Sequence, residues 1–320
     1  ASVSEYTNSY ALSYIDLLTG KSCATYVLLD SERLINEIVN LSINELVVEE
    51  DFDKEILETL KKNYNIYCSI YNSDIKGLNR SKVSSLNDEK LENNTLKLIS
   101  YLTFNQKKEI KHLMNAVYVD SKDYLSLSKE SIRNLELVET IRNKDRIYSL
   151  LWFLDETKTA MGARLLRDFV LRPSINKEEI IKRQDLTELL MKEFLVKSEL
   201  RNYLYEIYDL ERLVGKVSIN TLNARDLIQL KNSLKVLPDI NLLLEQLNLD
   251  KLKTFEDLYE YLDKSIDMDA PVTVKEGGII KDGFNEELDE LRNIRRSGKD
   301  FISKFENEEK ERTGIKNLKI

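Results

Sequence analysis

The sequence changes character once along its length, and that change limits the fold more than any other feature. Up to about residue 107, short β-branched and aromatic runs alternate with amphipathic helical ones; beyond that point strand signals nearly vanish. "SYALSYID" and "KSCATYVLL" read as strands, and "DSERLINEIVNLS" as a helix capped by Asp30 or Ser31, with Leu34, Ile38 and Leu41 on one stripe. "ELVVEE" and "IYCSIY" are two more short strands, separated by the helical "DFDKEILETLKKNYN" with Ile56, Leu57 and Leu60 inward. Strands separated by helices require crossovers, so this part is α/β with a partly parallel sheet. The polar stretch "NSDIKGLNRSKVSSLND" comes next as a loop, and "EKLENNTLKLISYLTF" reads as a helix leading out of the domain.

From there to about residue 270 the chain reads as all-helical. "SKESIRNLELVETI" starts at a Ser128 or Ser131 cap and places Ile132, Leu135, Val138 and Ile141 within a helical face. "DRIYSLLWFLDETKTAMGARLLRDFVLRPS" is apolar-periodic through Leu154, Met161, Leu165 and Phe169. The cluster Asp155, Thr157 and Thr159 predicts a break or cap inside it, because such side chains compete for backbone hydrogen bonds. Pro173 ends the run. Asn176 with Glu179, and Asn223 with Asp226, have capping-box spacing at the starts of new helices, the second burying Leu227, Leu230, Leu234 and Leu237. Gly277, Gly278 and Gly283 mark a structured turn. After it "NEELDELRNIRRSGKDFISKFENEEKER" is one long helix with a narrow stripe, Leu288, Leu291, Ile294, Gly298, Phe301 and Phe305, that needs a partner helix. "TGIKNLKI" looks like a turn into a strand without a visible sheet, which reads as a piece of a longer protein. The expected organisation is an α/β domain over 1–107, a helical domain over 108–270, and the glycine turn, long helix and final strand over 271–320.

Composition removes several function classes. The 320 residues suffice for two domains, and the 42% that are hydrophobic suffice for real cores. With 56 acidic against 48 basic residues the net charge is −8, so contact with nucleic acid or an anionic membrane has to be local. Cys23 and Cys68 lie in apolar runs without C-x-x-C spacing, which predicts buried free thiols and, with no signal peptide or long apolar run, the cytoplasm. The single histidine, His112, argues against a zinc site or a Ser/His triad.

Gly20-Lys21-Ser22 is the tail of a phosphate-binding loop, but Ile15 stands where that loop needs its first glycine and a strand follows where it needs a helix. The stretch therefore reads as a hairpin turned at Thr19-Gly20. Acidic pairs in "VVEEDFD" and "NEELDE" read as solvated faces. Arg292, Arg295, Arg296 and Lys299 in "RNIRRSGK" either meet phosphates or form a salt-bridged helix surface, and the acidic flanks favour the second. Gly162 in "ETKTAMGARLLRDF" reads as a helix junction that permits close packing.

At "LLWFLDETKTAMGARLLRDFVLRPS" the chain resembles the MutS family of DNA mismatch-repair proteins. The likeness extends through "RNLEL", "YDLERLVGKVSINTLNARDLIQLKNSL", "EGGIIKDGFNEELDELR" and "ERTGIKNLKI", and "SYALSYIDLLTGKSCATYVLL" is similar to the opening strands of the family's connector domain. The resemblance implies a connector of ribonuclease-H-like α/β fold over 1–107, a helical core and lever over 108–270, and a lever helix entering a truncated clamp over 271–320. It also implies that the whole protein uses ATP and Mg²⁺ in a domain absent from this chain, which by itself is not an enzyme and holds no cofactor. The implied partners are mismatched double-stranded DNA through the intact clamp, MutL through the connector, and a second copy of the full-length protein. The implied setting is cytoplasmic and nucleoid-associated. Lys316 and Lys319 are the family-placed candidates for DNA-backbone contact, with Arg295 and Arg296 as weaker ones. Phe284 and Glu286 match the family's Phe-x-Glu mismatch-reading pair in spelling only, because they lie at the lever in a structural turn. A ribonuclease-H-like fold also raises a metal-dependent nuclease; Asp16 is one strand-end carboxylate without convincing partners, and fold alone does not give function. The alternative to the family reading is a stand-alone helical scaffold with an α/β protein-interaction domain.

Overall fold

A computed structural model describes residues 1–72, 75, 78–107, 110 and 113–314, without the side chains of residues 218 and 299–301. His112, Lys316, Lys319 and the strand expected in "TGIKNLKI" lie outside the described residues. The chain divides into two compact units, Ala1–Leu222 with Val236–Lys253, and Asn223–Lys235 with Thr254 onward.

The first unit opens with a mixed sheet: β1 (Ser2–Tyr6), β2 (Ser9–Ile15), β3 (Ser22–Leu28), β4 (Glu45–Val48), β5 (Tyr67–Ile70) and β6 (Val117–Tyr118), in the order β5-β4-β1-β2-β3-β6. β1, β2 and β3 form an antiparallel meander, while β4 runs parallel to β1, β5 to β4 and β6 to β3. Helices α1 (Ser31–Asn40) and α2 (Lys54–Tyr64) cover one face, and α3 (Glu89–Gln106) packs on β1 and β2 from the other. The period-2 alternation of the strands divides the core accordingly. Val3, Tyr10 and Leu12 join Leu34, Ile38, Ile56 and Leu60 on the first face. Ala11 and Ala24 meet Leu91 and Leu96 on the second.

Sequence reading missed β1 and β6, and it read α3, at the end of the 1–107 domain, as leading outward where the helix packs back on the sheet. The reason is the second face, which is built from small and polar residues. Ser2 and Ser13 are fully buried there, and Asn94 on α3, 1% exposed, ties them together. Its Oδ1 accepts from Ser2 Oγ at 3.1 Å and Ser4 Oγ at 3.0 Å, and its Nδ2 donates to the Ser2 and Ala11 carbonyls at 3.0 and 2.8 Å and to Ser13 Oγ at 3.0 Å. A sheet face lined by hydroxyls carries no apolar signal, yet it can be buried because its polar atoms are paired.

Five short helices come next in this unit: α4 (Lys129–Asn134), α5 (Leu150–Leu154), α6 (Ala160–Leu171), α7 (Lys177–Lys192) and α8 (Phe194–Tyr205). α9 (Leu210–Ser218) succeeds them. Ser128 caps α4, but the helix ends at Asn134, so Leu135, Val138 and Ile141 leave the expected helical face. The break at Asp155–Thr159 is real: the Asp155 carboxylate accepts from Thr157 N–H and Oγ1, and Thr159 Oγ1 caps α6 by accepting from Gly162 N–H at 3.0 Å.

The second unit contains α10 (Ala224–Lys235), α12 (Glu256–Ser265) and α13 (Glu286–Thr313); α11 (Leu237–Gln246) belongs to the first. Asn223 and Asp226 form the expected reciprocal cap on α10, each side chain accepting from the other's backbone N–H at 2.9 and 3.1 Å. α10 packs on α12, and Lys231, 6% exposed, donates to Asp263 at 3.0 Å. The glycine turn runs from an Ile266–Ile280 bridge into α13, whose Asn285 cap accepts from Leu288 N–H.

Candidate coupling junction

α6 carries Arg164 and Asp168 four residues apart on one stripe, and Arg172, four positions further on, is the non-helical residue that caps its C-terminus. Each meets a different element. Arg164 grips Asp209 with two parallel hydrogen bonds of 2.7 Å and reaches Glu211 at 2.6 Å, which fastens α6 to the start of α9. These bonds hold the Asp209 carboxyl below its ordinary range. Asp209 also caps α9 by accepting from Arg212 N–H. Asp168 is pushed up by burial and feels Lys21 of the β2–β3 turn and Arg172. Arg172 donates to Glu37 Oε1 on α1 at 2.9 Å, with both side chains mostly buried, and its guanidinium lies 4.7 Å from the Tyr124 ring centre. The Tyr14 hydroxyl interacts with both Arg172 and Cys23, and burial raises it and the Cys23 thiol above their usual ranges.

The β2–β3 turn is the hairpin that the sequence predicts. Gly20 has φ 72°, its N–H donates to Asp16 O at 2.8 Å, and the Asp16 carboxylate accepts from Leu18 N–H at 2.9 Å. Asp16 is thus occupied in closing a turn, and among the described residues no three Asp, Glu, His or Cys side chains gather as a metal site would need. The turn faces α9 so closely that a Cβ on Gly215 would stand 2.0 Å from the Leu18 carbonyl oxygen. The segment after β6 continues the connection: Leu125 N–H donates to Pro173 O and Ile175 N–H to Asp123 O, both at 2.8 Å, at the end of α6.

The sequence-predicted residues lie elsewhere. On α13, Arg292 donates to Asp282 at 2.6 Å and to the Ile280 carbonyl at 2.8 Å, and Arg296 reaches Asp282 only at 3.5 Å. Arg295 is exposed on the same helix. Phe284 packs edge-on against Tyr261 at 5.7 Å, and Glu286 is the first residue of α13. Cys23 is buried, whereas Cys68, on edge strand β5, is only partly so. No described helix is long and apolar enough to cross a membrane. The α6 stripe was missed, although its i, i+4, i+8 alternation of sign was legible.

Two family models match the chain, MutS domain II over residues 1–114 and MutS domain III over residues 130–318. The chain belongs to the MutS family. Curated relatives agree along its whole length. The DNA mismatch repair protein MutS of Bacillus subtilis is 41% identical over 100% of this chain and 38% of its own length. That of Staphylococcus haemolyticus is 41% identical over 98% of this chain and 36% of its own, and that of Listeria innocua 40% over 97% and 37%. The chain thus spans little more than a third of the MutS relatives it matches. Within the MutS frame the two matched regions meet on α6, where Arg172 of the second reaches Glu37 of the first.

Proposed function

We propose that this chain is the connector and lever part of a DNA mismatch-recognition ATPase, coupling a remote ATPase and mismatch reader to a DNA clamp. The observation that carries the reading is the α6 stripe, which fastens the α/β part and α9 to one helix. Coupling over distance needs rigid elements with paired, discrete contacts. The meander β1-β2-β3 with β4 and β5 added in parallel beyond β1 supports a ribonuclease-H-like connector. The domains are taken as 1–107, 108–270 and 271–320. ATP and Mg²⁺ belong to the whole protein, as do MutL docking through the connector and homodimer formation, in a cytoplasmic, nucleoid-associated setting. In the long helix and beyond, Arg295, Arg296, Lys316 and Lys319 are the proposed DNA-backbone contacts, and such contacts are salt-sensitive and blind to sequence.

Titrating the chain with heteroduplex and homoduplex DNA at two salt concentrations tests this division of labour. Weak binding without preference for the mismatch is expected. A clear heteroduplex preference would place mismatch reading in this chain and overturn the reading.

A further inference from the structure

The α/β part and the helices after it share no apolar core cluster among the described residues. Both clusters of the sheet draw only on residues up to Ala116. Polar contacts cross to the helices beyond. Asn40 Nδ2 donates to the Leu127 carbonyl at 2.6 Å, the Lys129 ammonium sits 4.2 Å from the Tyr64 ring centre, and the Leu18 carbonyl abuts Gly215. Beside these contacts, the Arg172–Glu37 ion pair is withdrawn from water, with side chains 16% and 13% exposed. Losing one member of such a pair leaves the other as an uncompensated buried charge, whereas losing both does not.

We propose that Glu37 and Arg172 form the latch that holds the folded α/β part on α6, so that breaking the pair loosens the attachment and leaves the sheet intact. The proposal rests on the coupling reading only for the purpose the latch serves; the latch itself is independent of DNA. Tyr14, Tyr124, Asp168, Lys21 and Cys23 complete its surroundings. Asp168 cannot replace Glu37 in this role, because it lies on α6 itself and cannot tie that helix to α1.

The test is amide hydrogen exchange on the whole chain for Glu37→Gln, Arg172→Met and the double variant. Each single variant should speed exchange at Leu125 and Ile175, whose N–H groups pin the linker to the end of α6, by about tenfold or more, with β1 and β2 unchanged. The double variant should be less affected than the product of the singles, because the two residues act as a pair. Unchanged exchange in the singles, multiplicative effects in the double, or parallel loss of protection in β1 and β2 would each overturn the latch. No DNA enters this experiment, so failure of the latch would remove the Arg172–Glu37 support for coupling but not the division of labour tested by DNA titration, and a heteroduplex preference would leave the latch standing.

Discussion

Asn94 shows how much one polar side chain can decide. It replaces water for serine hydroxyls and two carbonyls on a buried sheet face. Asn94→Ala should lower stability by about 3 kcal/mol, since several buried groups lose partners at once; urea unfolding followed at the β1 and β2 amides measures this, and a change under about 1 kcal/mol would mean that water replaces the amide freely. Two carboxyls at the junction titrate in opposite directions. Glu37 is raised above its ordinary 4.5 by burial, so its contribution to stability is full below 4.5 and is lost as pH rises through the folded value. Asp209 is lowered from 3.8 by its bonds from Arg164, so its contribution is full above 3.8 and is lost as pH falls through the folded value. Carboxyl-carbon NMR titration should therefore protonate Glu37 above 4.5 and Asp209 below 3.8; the reverse order would contradict the burial of Glu37 and the Arg164 bonds to Asp209.

Among elements, α13 differs from the rest. Of the narrow stripe that the sequence predicted, Leu291 and Ile294 are 58% and 67% exposed, Leu288 is partly buried, and the Phe301 side chain lies outside those described. Helical stability in proteins comes mainly from packing of an apolar face, and α13 holds itself instead through local pairs such as Arg292 with Asp282 and Lys310 with Glu306. Amides over 286–314 should exchange faster than those of α1 or α3; strong protection in a chain shown to be monomeric would count against this. The helical elements were legible where caps and stripes coincide, as at Asn176 and Asn223. They were not legible at Val138 and Ile141, where helical spacing continues past Asn134 but the chain turns away, with Glu136 at φ 48°. Periodicity records which residues are apolar and says nothing of where the backbone bends.

Across the molecule, the α/β part does not stop where its strand and helix signals stop. Ala116 is 1% exposed within the second core cluster and β6 pairs with β3, about ten residues beyond α3. A two-residue strand has no sequence signal of its own; it exists because the edge of β3 offers unpaired backbone groups. The α/β-then-helical order, the hairpin at Gly20, most of the caps and the family were all readable from the residues alone, because these depend on neighbours in the chain or on a pattern of many residues. Packing was needed to decide that α3 returns to a sheet face of serines, that Gly215 lies under the Leu18 carbonyl, and that Arg172 finds Glu37 across 135 positions of sequence. Local spacing can aim a charge out of a helix, but only the packed chain supplies the partner that meets it.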